Sequence, residues 1–293
     1  MQPPQPDLAP LQEKLKEALL RAARVVYPLF RDRDFDVSSK GKAGPLTSAD
    51  LAANEVLRGA LSEADPEAGW LSEENTDDRS RLERRDVWIV DPIDGTREFV
   101  EGMPEFSVSA GLSRGGRAVL GGVILPAEGR LLLGVQGAGL RELRYNQEQD
   151  DGLIQESAIG AFPETGSLKG ARIYVSRSEF RKGLFAPLQE DPDMGFQFVA
   201  QGSIARKLAL LAAGDCDMIV SLNPKNDWDI CGGVGLVLSR PGGQAIEIEG
   251  GEPNRFDRES LRSYGMIAGP EHLVNEMLRY LRSRDIRPRH SYD

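Results

Sequence analysis

A buried strand that ends in two carboxylates is the most constraining feature of this 293-residue chain. Residues 87–90 (VWIV) are mostly apolar and predict a buried strand, yet they run directly into Asp91 and Asp94. Pro92 favours an extended backbone at the residue before it, and Asp94-Gly95 is a turn sequence. A turn of this kind can point both carboxylates to the same side.

Oxygen atoms gathered at such a turn are suited to a hard cation. The carbonyl of Ile93 is available between the two carboxylates, and Mg²⁺ prefers oxygen ligands of these kinds. Gly95 and Thr96 begin a predicted short helix, whose free amide groups favour a phosphate. The structural alternative is a polar turn between a strand and a helix, in which Asp94 only caps the helix.

Two further acidic segments add candidate ligands. WLSEEN at 70–75 places Glu73 and Glu74 after a short apolar stretch, and KNDWDICGG at 225–233 places Asp229 directly before a predicted helix. Each also has an ordinary structural interpretation, Glu73 as a solvated loop acid and Asp229 as a helix N-cap. Taken singly, these segments leave both interpretations open.

The first half of the chain is predicted as two helices laid on an antiparallel sheet. Apolar residues at 11–29 recur on one helical face, and Thr47 with Asp50 forms a capping-box pattern at the start of a second helix. The charged, glycine-bearing segment 31–44 between them predicts a mobile loop. Strands follow, with PAEG at 126–129 as the turn of a hairpin.

The second half alternates strand-like and helix-like runs from about residue 171 onward. Such alternation predicts a parallel or mixed sheet flanked by helices. Residues 146–169 are polar and weakly patterned, and predict a domain junction. The predicted units are an N-terminal α+β part at 1–150 and a C-terminal α/β part at 165–293.

Composition excludes several classes of protein. Hydrophobic residues make up 40% of the chain, enough for a sizeable core, and the net charge of −10 without a basic run argues against a nucleic-acid polymer as partner. Cys216 and Cys231 match no zinc or CxxC spacing and are predicted core thiols. No run reaches the roughly 18 apolar residues of a membrane span, and no signal core precedes the first helix. A cytoplasmic protein without membrane insertion is expected.

Four segments, in order and rough spacing, resemble the inositol monophosphatase family of metal-dependent, lithium-sensitive phosphatases: LTSADLAANE at 46–55, LSEE at 71–74, WIVDPIDGT at 88–96 and WDICGG at 228–233. DPIDGT is a specific match, because six consecutive residues recur very rarely by chance at ordinary composition. Weaker agreement continues through YGMIAG at 264–269. The resemblance implies an α+β to α/β fold, the layered αβαβα sandwich of the inositol monophosphatase and fructose-1,6-bisphosphatase type.

The resemblance also implies roles for individual residues. Glu73, Asp91 and the Ile93 carbonyl would hold one Mg²⁺, and Asp91, Asp94 and Asp229 a second, with a third loosely held ion near Glu73. Glu73 and Thr96 would orient the attacking water, and Asp50 would accept the Thr96 proton. The implied substrate-binding residues are Gly95, Thr96, Ser203, Arg206 and Asp229. The two histidines, His272 and His290, are predicted at the surface away from every motif, which disfavours a histidine mechanism.

Smaller similarities concern the substrate. Arg97-Glu98-Phe99 is similar to the 3'(2'),5'-bisphosphate nucleotidases, as is LSEE in place of a GEE form. YVSRSEF at 174–180 resembles the VSRSH signature of that subgroup, with Glu179 where the signature has histidine.

A basic segment completes this comparison. GSIARK at 202–207 resembles GSSLK, which lines the substrate side in that subgroup. Ser203 and Arg206 occupy its matching positions, and arginine is suited to bidentate phosphate contacts. A helix start with an exposed basic residue is the alternative interpretation, and Arg177 has the same ambiguity.

Three hypotheses follow. The first is a Mg²⁺-dependent phosphomonoesterase acting on adenosine 3',5'-bisphosphate. The second keeps that chemistry with inositol 1-phosphate, fructose 1,6-bisphosphate or histidinol phosphate as substrate. The third is a catalytically silent regulator that binds metal or phosphate, which the complete residue set disfavours. Relatives further imply a homodimer and a lid formed by residues 31–44.

Overall fold

The computed structural model describes residues 8–39, 41, 44–149 and 152–291. Part of the predicted loop 31–44, namely Lys40, Lys42 and Ala43, lies outside these residues. The described part of that segment is partly regular: the first helix extends to Asp32, and Val37–Ser39 pairs antiparallel with Pro45–Thr47. The mobility of the segment and its role as a lid stay predictions.

The helices match most of the helical runs expected from the sequence. In chain order they are α1 (Ala9–Asp32), α2 (Ser48–Ala64), α3 (Thr96–Glu101), α4 (Arg177–Arg181), α5 (Ala186–Gln189), α6 (Ile204–Ala213), α7 (Asp227–Ser239) and α8 (Glu271–Ser283). The capping box predicted at α2 is confirmed, because the Thr47 hydroxyl accepts from the Asp50 amide while the Asp50 carboxylate accepts from the Thr47 amide.

The strands alternate with these helices along the chain. They are β1 (Val37–Ser39), β2 (Pro45–Thr47), β3 (Gly69–Ser72), β4 (Asp86–Asp94), β5 (Ser107–Arg114), β6 (Arg117–Leu125), β7 (Arg130–Val135), β8 (Gly139–Tyr145), β9 (Leu153–Ile159), β10 (Arg172–Ser176), β11 (Gln197–Gln201), β12 (Met218–Asn226), β13 (Gly243–Glu247) and β14 (Arg262–Pro270). The predicted β6–β7 hairpin is confirmed, with a 3-10 turn at Pro126–Glu128.

Two large sheets organise the described residues. The first has seven strands in the order β3-β4-β5-β6-β7-β8-β9, and the second has five in the order β11-β10-β12-β14-β13. The first sheet is antiparallel as predicted, except that β3 runs parallel to β4. The second is mixed, because β10 pairs parallel with β11 and β12 while β14 runs antiparallel to its neighbours.

Three clusters of buried apolar side chains show how the layers stack. One joins α1 and α2 to the outer face of the first sheet, the second lies around α6 and α7 between the two sheets, and the third joins α8 to the far face of the second sheet. The order is therefore helices, sheet, helices, sheet, helices. This confirms the layered αβαβα architecture, in which each apolar face is buried against a neighbouring layer.

Six strands were not expected from the sequence, namely β1, β2, β3, β8, β9 and β13. The predicted junction 146–169 contains β9, an edge strand of the first sheet whose residues are largely exposed. Because β9 has no buried face, it lacks the alternation of apolar and polar residues that identifies a strand. The short β13 at the edge of the second sheet was also missed. The division into units at 1–150 and 165–293 stays a prediction.

Other expectations concern single residues and the membrane. Cys216 and Cys231 are buried and unpaired, as predicted. His290 is exposed, as predicted, and His272 is half-buried where the start of α8 lies beside residue 166. Across the described residues, no helix is both long enough and apolar enough to cross a membrane.

Helix α7 packs unusually close to the first sheet. A Cβ atom on Gly121 of β6 would lie 2.2 Å from the carbonyl oxygen of Gly232, and one on Gly235 would lie 2.8 Å from the Cα of Gly121. Backbone therefore meets backbone, since no side chain stands between the helix and the strand. This contact determines how far the first turn of α7 reaches toward the end of β4.

We expect Gly121→Ala to lower the free energy of unfolding by about 3 kcal/mol or more, because the new methyl group would overlap the α7 backbone. The control is Gly59→Ala in α2, where a Cβ atom meets nothing within 4 Å. There alanine should stabilise the helix by about 0.5–1 kcal/mol. Urea unfolding followed by circular dichroism measures both, and equal stabilities of the two variants would contradict the close packing.

Candidate active site

The end of β4 places the two aspartates of the DPIDGT turn. The pairing of β4 with β5 is irregular between Asp91 and Asp94, and Asp91 is 1% exposed. Gly95 follows in the left-handed region at φ +95°, where a Cβ atom would lie 2.9 Å from the carbonyl oxygen of Glu105. Only glycine combines this backbone conformation with so close a neighbour. The turn and the short α3 after it were both predicted correctly.

Glu73 reaches the same edge because β3 is parallel to β4. Ser72, the last residue of β3, is in register with Val90, and the Glu73 amide donates to the Val90 carbonyl at 3.3 Å. The carboxyl ends of parallel strands lie at one edge of a sheet, so Glu73 follows directly beside Asp91.

Asp229 comes from the opposite layer, in the first turn of α7. The prediction that Asp229 directly precedes the helix was wrong, because the helix begins at Asp227 with Asn226 as its N-cap. Asp229 Oδ2 accepts from the Asn226 amide at 2.8 Å, which completes a capping box. Asparagine is a favourable N-cap residue, so the sequence alone allowed the helix to begin after Asn226 as well as after Asp229.

Thr96 and Asp50 lie together beside this cluster. The Thr96 hydroxyl is 3.3 Å from Asp50 Oδ1 and 3.0 Å from the carbonyl oxygen of Ile93. A hydroxyl has one proton, so it can donate to only one of these oxygens at a time. The other Asp50 oxygen accepts from the Thr47 amide at 2.8 Å, so the capping-box acid also contacts Thr96.

Four carboxylates repel one another at this edge. Burial raises the pKa of Asp91 well above its usual range, and the charges of Glu73, Asp94 and Asp229 raise it further. Burial likewise raises the pKa of Asp229 to about 7, with Asp94 as the largest charged contributor. These side chains are therefore close enough to oppose one another's ionisation.

This donor set fits a divalent cation. Asp91 Oδ1 is buried and has no hydrogen-bond partner among the described residues, so one carboxylate oxygen lacks a compensating contact. Within the same residues, no group of three or more His, Cys, Asp or Glu side chains is arranged to hold an ion as it stands. Carboxylate oxygens are nevertheless the ligands that Mg²⁺ prefers, and a bound cation would offset their mutual repulsion.

Asp94 is held by the first turn of α6. Its Oδ2 accepts from the hydroxyl of Ser203 at 2.6 Å and from the amide of Ala205 at 2.6 Å. These contacts partly offset the effect of burial, which raises the pKa of Asp94. Ser203, predicted as a substrate contact, thus lies against a candidate metal ligand.

The two candidate phosphate-binding arginines are paired with carboxylates. Arg206 donates to Glu128 Oε1 at 2.7 Å and also to the side chain of Gln201. Arg177 donates to Glu98 Oε1 at 3.2 Å and to Glu105. Their contacts with substrate stay predictions. To bind a substrate, each guanidinium group would have to leave its carboxylate partner and pair with a phosphate.

Sequence reasoning missed two buried lysines beside the cluster. Lys207 is 2% exposed, and its charge lowers the pKa of Asp94. Lys225 is also buried and pairs at 3.2 Å with Glu179, the residue found in place of the expected histidine. A signal for Lys207 was present, because Ile204, Lys207, Leu208 and Leu211 share the spacing of one apolar helical face.

The layered helices and sheets, with an acidic cluster at the edge of the first sheet, define a class of α+β protein with a candidate cation and phosphate site. A family model described as the inositol monophosphatase family matches residues 7–285, so the chain belongs to this family. Members of this family are phosphatases that act on small phosphorylated substrates, and they are generally metal-dependent.

Individual relatives divide between different activities. The chain is 29% identical to an inositol-1-monophosphatase of Caulobacter vibrioides, over 91% of this chain and 99% of the relative. It is 27% identical to the 3'(2'),5'-bisphosphate nucleotidase CysQ of Escherichia coli, over 80% and 88%. The crystal structure of the extragenic suppressor protein suhB from Bartonella henselae superposes with a TM-score of 0.73 at 26% identity, covering 92% of this chain and 98% of that one.

We expect the carboxylate cluster to destabilise the cation-free protein as the pH rises. The folded protein binds the Asp229 proton more tightly than the unfolded chain, with a pKa of about 7 against an ordinary 3.8. The free energy of unfolding therefore falls between about pH 4 and 7. Tm is measured in EDTA at about pH 5 and about pH 8. The decline in Tm between these pH values should be larger in the wild type than in Asp229→Asn, and the two declines should differ by at least about 2–4 °C. Parallel declines in the two proteins would contradict the repulsion.

Proposed function

We propose that this chain is a Mg²⁺-dependent phosphomonoesterase that hydrolyses adenosine 3',5'-bisphosphate. The observation that carries the proposal is the convergence of Glu73, Asp91, Asp94 and Asp229 on one edge of the first sheet beside the Thr96–Asp50 pair. Three chain segments far apart in sequence supply these carboxylates. Such an arrangement costs stability unless a cation offsets it.

The proposed metal ligands are Glu73, Asp91, Asp94, Asp229 and the Ile93 carbonyl, which would hold two ions between them. When bound, the cations supply positive charge that makes a water more acidic and neutralises the phosphate. Glu73 and Thr96 would orient the attacking water, and Asp50 would accept a hydrogen bond from the Thr96 hydroxyl, which leaves the hydroxyl oxygen free to accept from that water. The amides of Gly95 and Thr96, at the start of α3, would bind the phosphate.

The residues around this centre support a nucleotide as substrate. The relative CysQ acts on a 3'(2'),5'-bisphosphate nucleotide by its name, and Arg97-Glu98-Phe99 is the segment that resembles that subgroup. Glu98 and Arg177, which belong to two separate segments with this resemblance, are in contact. Arg177 and Arg206 are the cations available for a second phosphate, after release from Glu98, Glu105 or Glu128.

A second candidate keeps the same chemistry with inositol 1-phosphate as substrate. The observation in its favour is the match to the Caulobacter inositol-1-monophosphatase, which extends over a larger share of both chains than the match to CysQ. The pairing of Arg177 and Arg206 with carboxylates also favours a substrate with a single phosphate. The metal centre and water-orienting residues are the same for both candidates.

We expect Glu73→Gln to lower kcat by about 100-fold or more, because the amide can neither neutralise a cation nor orient the water as a base. Glu67→Gln is the matched control: Glu67 lies before the other end of β3, with its side chain 90% exposed. Steady-state phosphate release with Mg²⁺ measures both variants. Full activity in Glu73→Gln would exclude the proposed mechanism and favour a different centre.

The substrate is tested by phosphate release from adenosine 3',5'-bisphosphate and inositol 1-phosphate in parallel, with Mg²⁺, with EDTA and with added Li⁺. We expect the higher kcat/KM for the nucleotide, loss of activity in EDTA and inhibition by Li⁺. Preference for inositol 1-phosphate would establish the second candidate. Metal and phosphate binding without hydrolysis of either compound would instead identify a silent regulator.

A further inference from the structure

The turn before α6 has an unusual backbone that is held from several sides. Ser203, the N-cap of α6, adopts φ +45°, in the left-handed region that L-residues rarely occupy. Its hydroxyl is within hydrogen-bond distance of Asp94 Oδ2, the Arg206 amide and the hydroxyl of Ser107. A strained conformation persists only where surrounding contacts determine it.

Lys207 adds contacts to the backbone carbonyl groups of the same turn. Its ammonium group lies 3.0–3.3 Å from the carbonyl oxygens of Gln201, Gly202 and Ser203, which are three consecutive residues of the turn. An ammonium group has three protons, so all of them are directed at the turn backbone. Lys207 therefore has no donor left over for a substrate.

The outer side of the turn is held by an ion network. The Gly202 amide donates to Glu105 Oε2 at 2.7 Å, and Glu105 is joined through Arg177 to Glu98. A Cβ atom at Gly202 would lie 2.5 Å from the Glu98 carboxyl group, so a larger residue there would displace Glu98 from this network. Both faces of the turn are thus determined by buried or half-buried charged side chains.

We propose that the Gln201–Ser203 turn, with Lys207 behind it, orients Asp94, so that Ser203 and Lys207 are positioning residues that set the affinity for the divalent cation. Ser203 and Ala205 bind the same carboxylate oxygen, Oδ2, which leaves Oδ1 as the oxygen available to a cation. A ligand carboxylate fixed by its own hydrogen bonds loses less freedom when the ion binds. This inference rests on the proposed function and adds to it how the Asp94 ligand is held.

The test is Mg²⁺ binding to Ser203→Ala, measured by calorimetry without substrate. Alanine keeps the Cβ atom and removes only the hydroxyl, and the dissociation constant should rise on the order of 10-fold. KM for the phosphate substrate at saturating Mg²⁺ should stay at the wild-type value. Ser113→Ala is the matched control, since Ser113 is a fully buried serine at the far end of β5.

Lys207→Arg provides a second measurement that keeps the positive charge. Its planar guanidinium cannot reproduce the three contacts of an ammonium group, so weaker Mg²⁺ binding is again expected. A rise in KM for the substrate with unchanged Mg²⁺ affinity in Ser203→Ala would overturn the inference, because it would identify a substrate contact. Wild-type affinity in Lys207→Arg would overturn the role given to Lys207.

Failure of the proposed function gives a different result. In that case the wild-type protein would bind no Mg²⁺ and Glu73→Gln would match it in every assay. A wild type that binds Mg²⁺ and hydrolyses the substrate, together with a Ser203→Ala variant of equal affinity, would refute only the positioning role.

Discussion

The contact between the backbone of α7 and the backbone of β6 is the constraint on which the site depends. Glycine at positions 121, 232 and 235 removes the side chains that would otherwise separate helix from sheet. The first turn of α7 consequently lies close enough to the end of β4 for Asp229 to act on Asp91. A larger residue at this contact would push α7 away from β6. Asp229 would then move away from the other carboxylates, although none of the carboxylate residues had been substituted.

The second organising effect is charge. Four carboxylates at one edge repel one another, and partial burial removes the water that would screen them. The protein offsets this with hydrogen-bond donors and cations of its own, including Ser203 and the Ala205 amide on Asp94 and the buried Lys207 and Lys225 nearby. The carboxylate cluster is therefore backed by fixed hydrogen-bond donors and cations, as the ligands of metal centres commonly are.

The same partners limit how freely the basic residues can serve a substrate. Arg177 and Arg206 were selected because their segments resemble those of the nucleotidase subgroup and arginine suits a phosphate, and the structure shows each of them in ion pairs. A carboxylate partner does not exclude a role in binding, since a phosphate can replace it. It does mean that the free energy of substrate binding would include the loss of an existing pair.

Local patterns in the sequence determined several features of this protein. They are the strand that ends at Asp91 and Asp94, the turn at Gly95, the capping box of Thr47 and Asp50, and the membership of the family. Such features depend on neighbours within a few residues, so spacing alone reveals them. Strand β9 was missed because it buries no face. Only the tertiary structure decided that Ser203 meets Asp94 and that Lys207 is buried behind them, because those contacts join residues about a hundred positions apart through the packing of α6 against the first sheet.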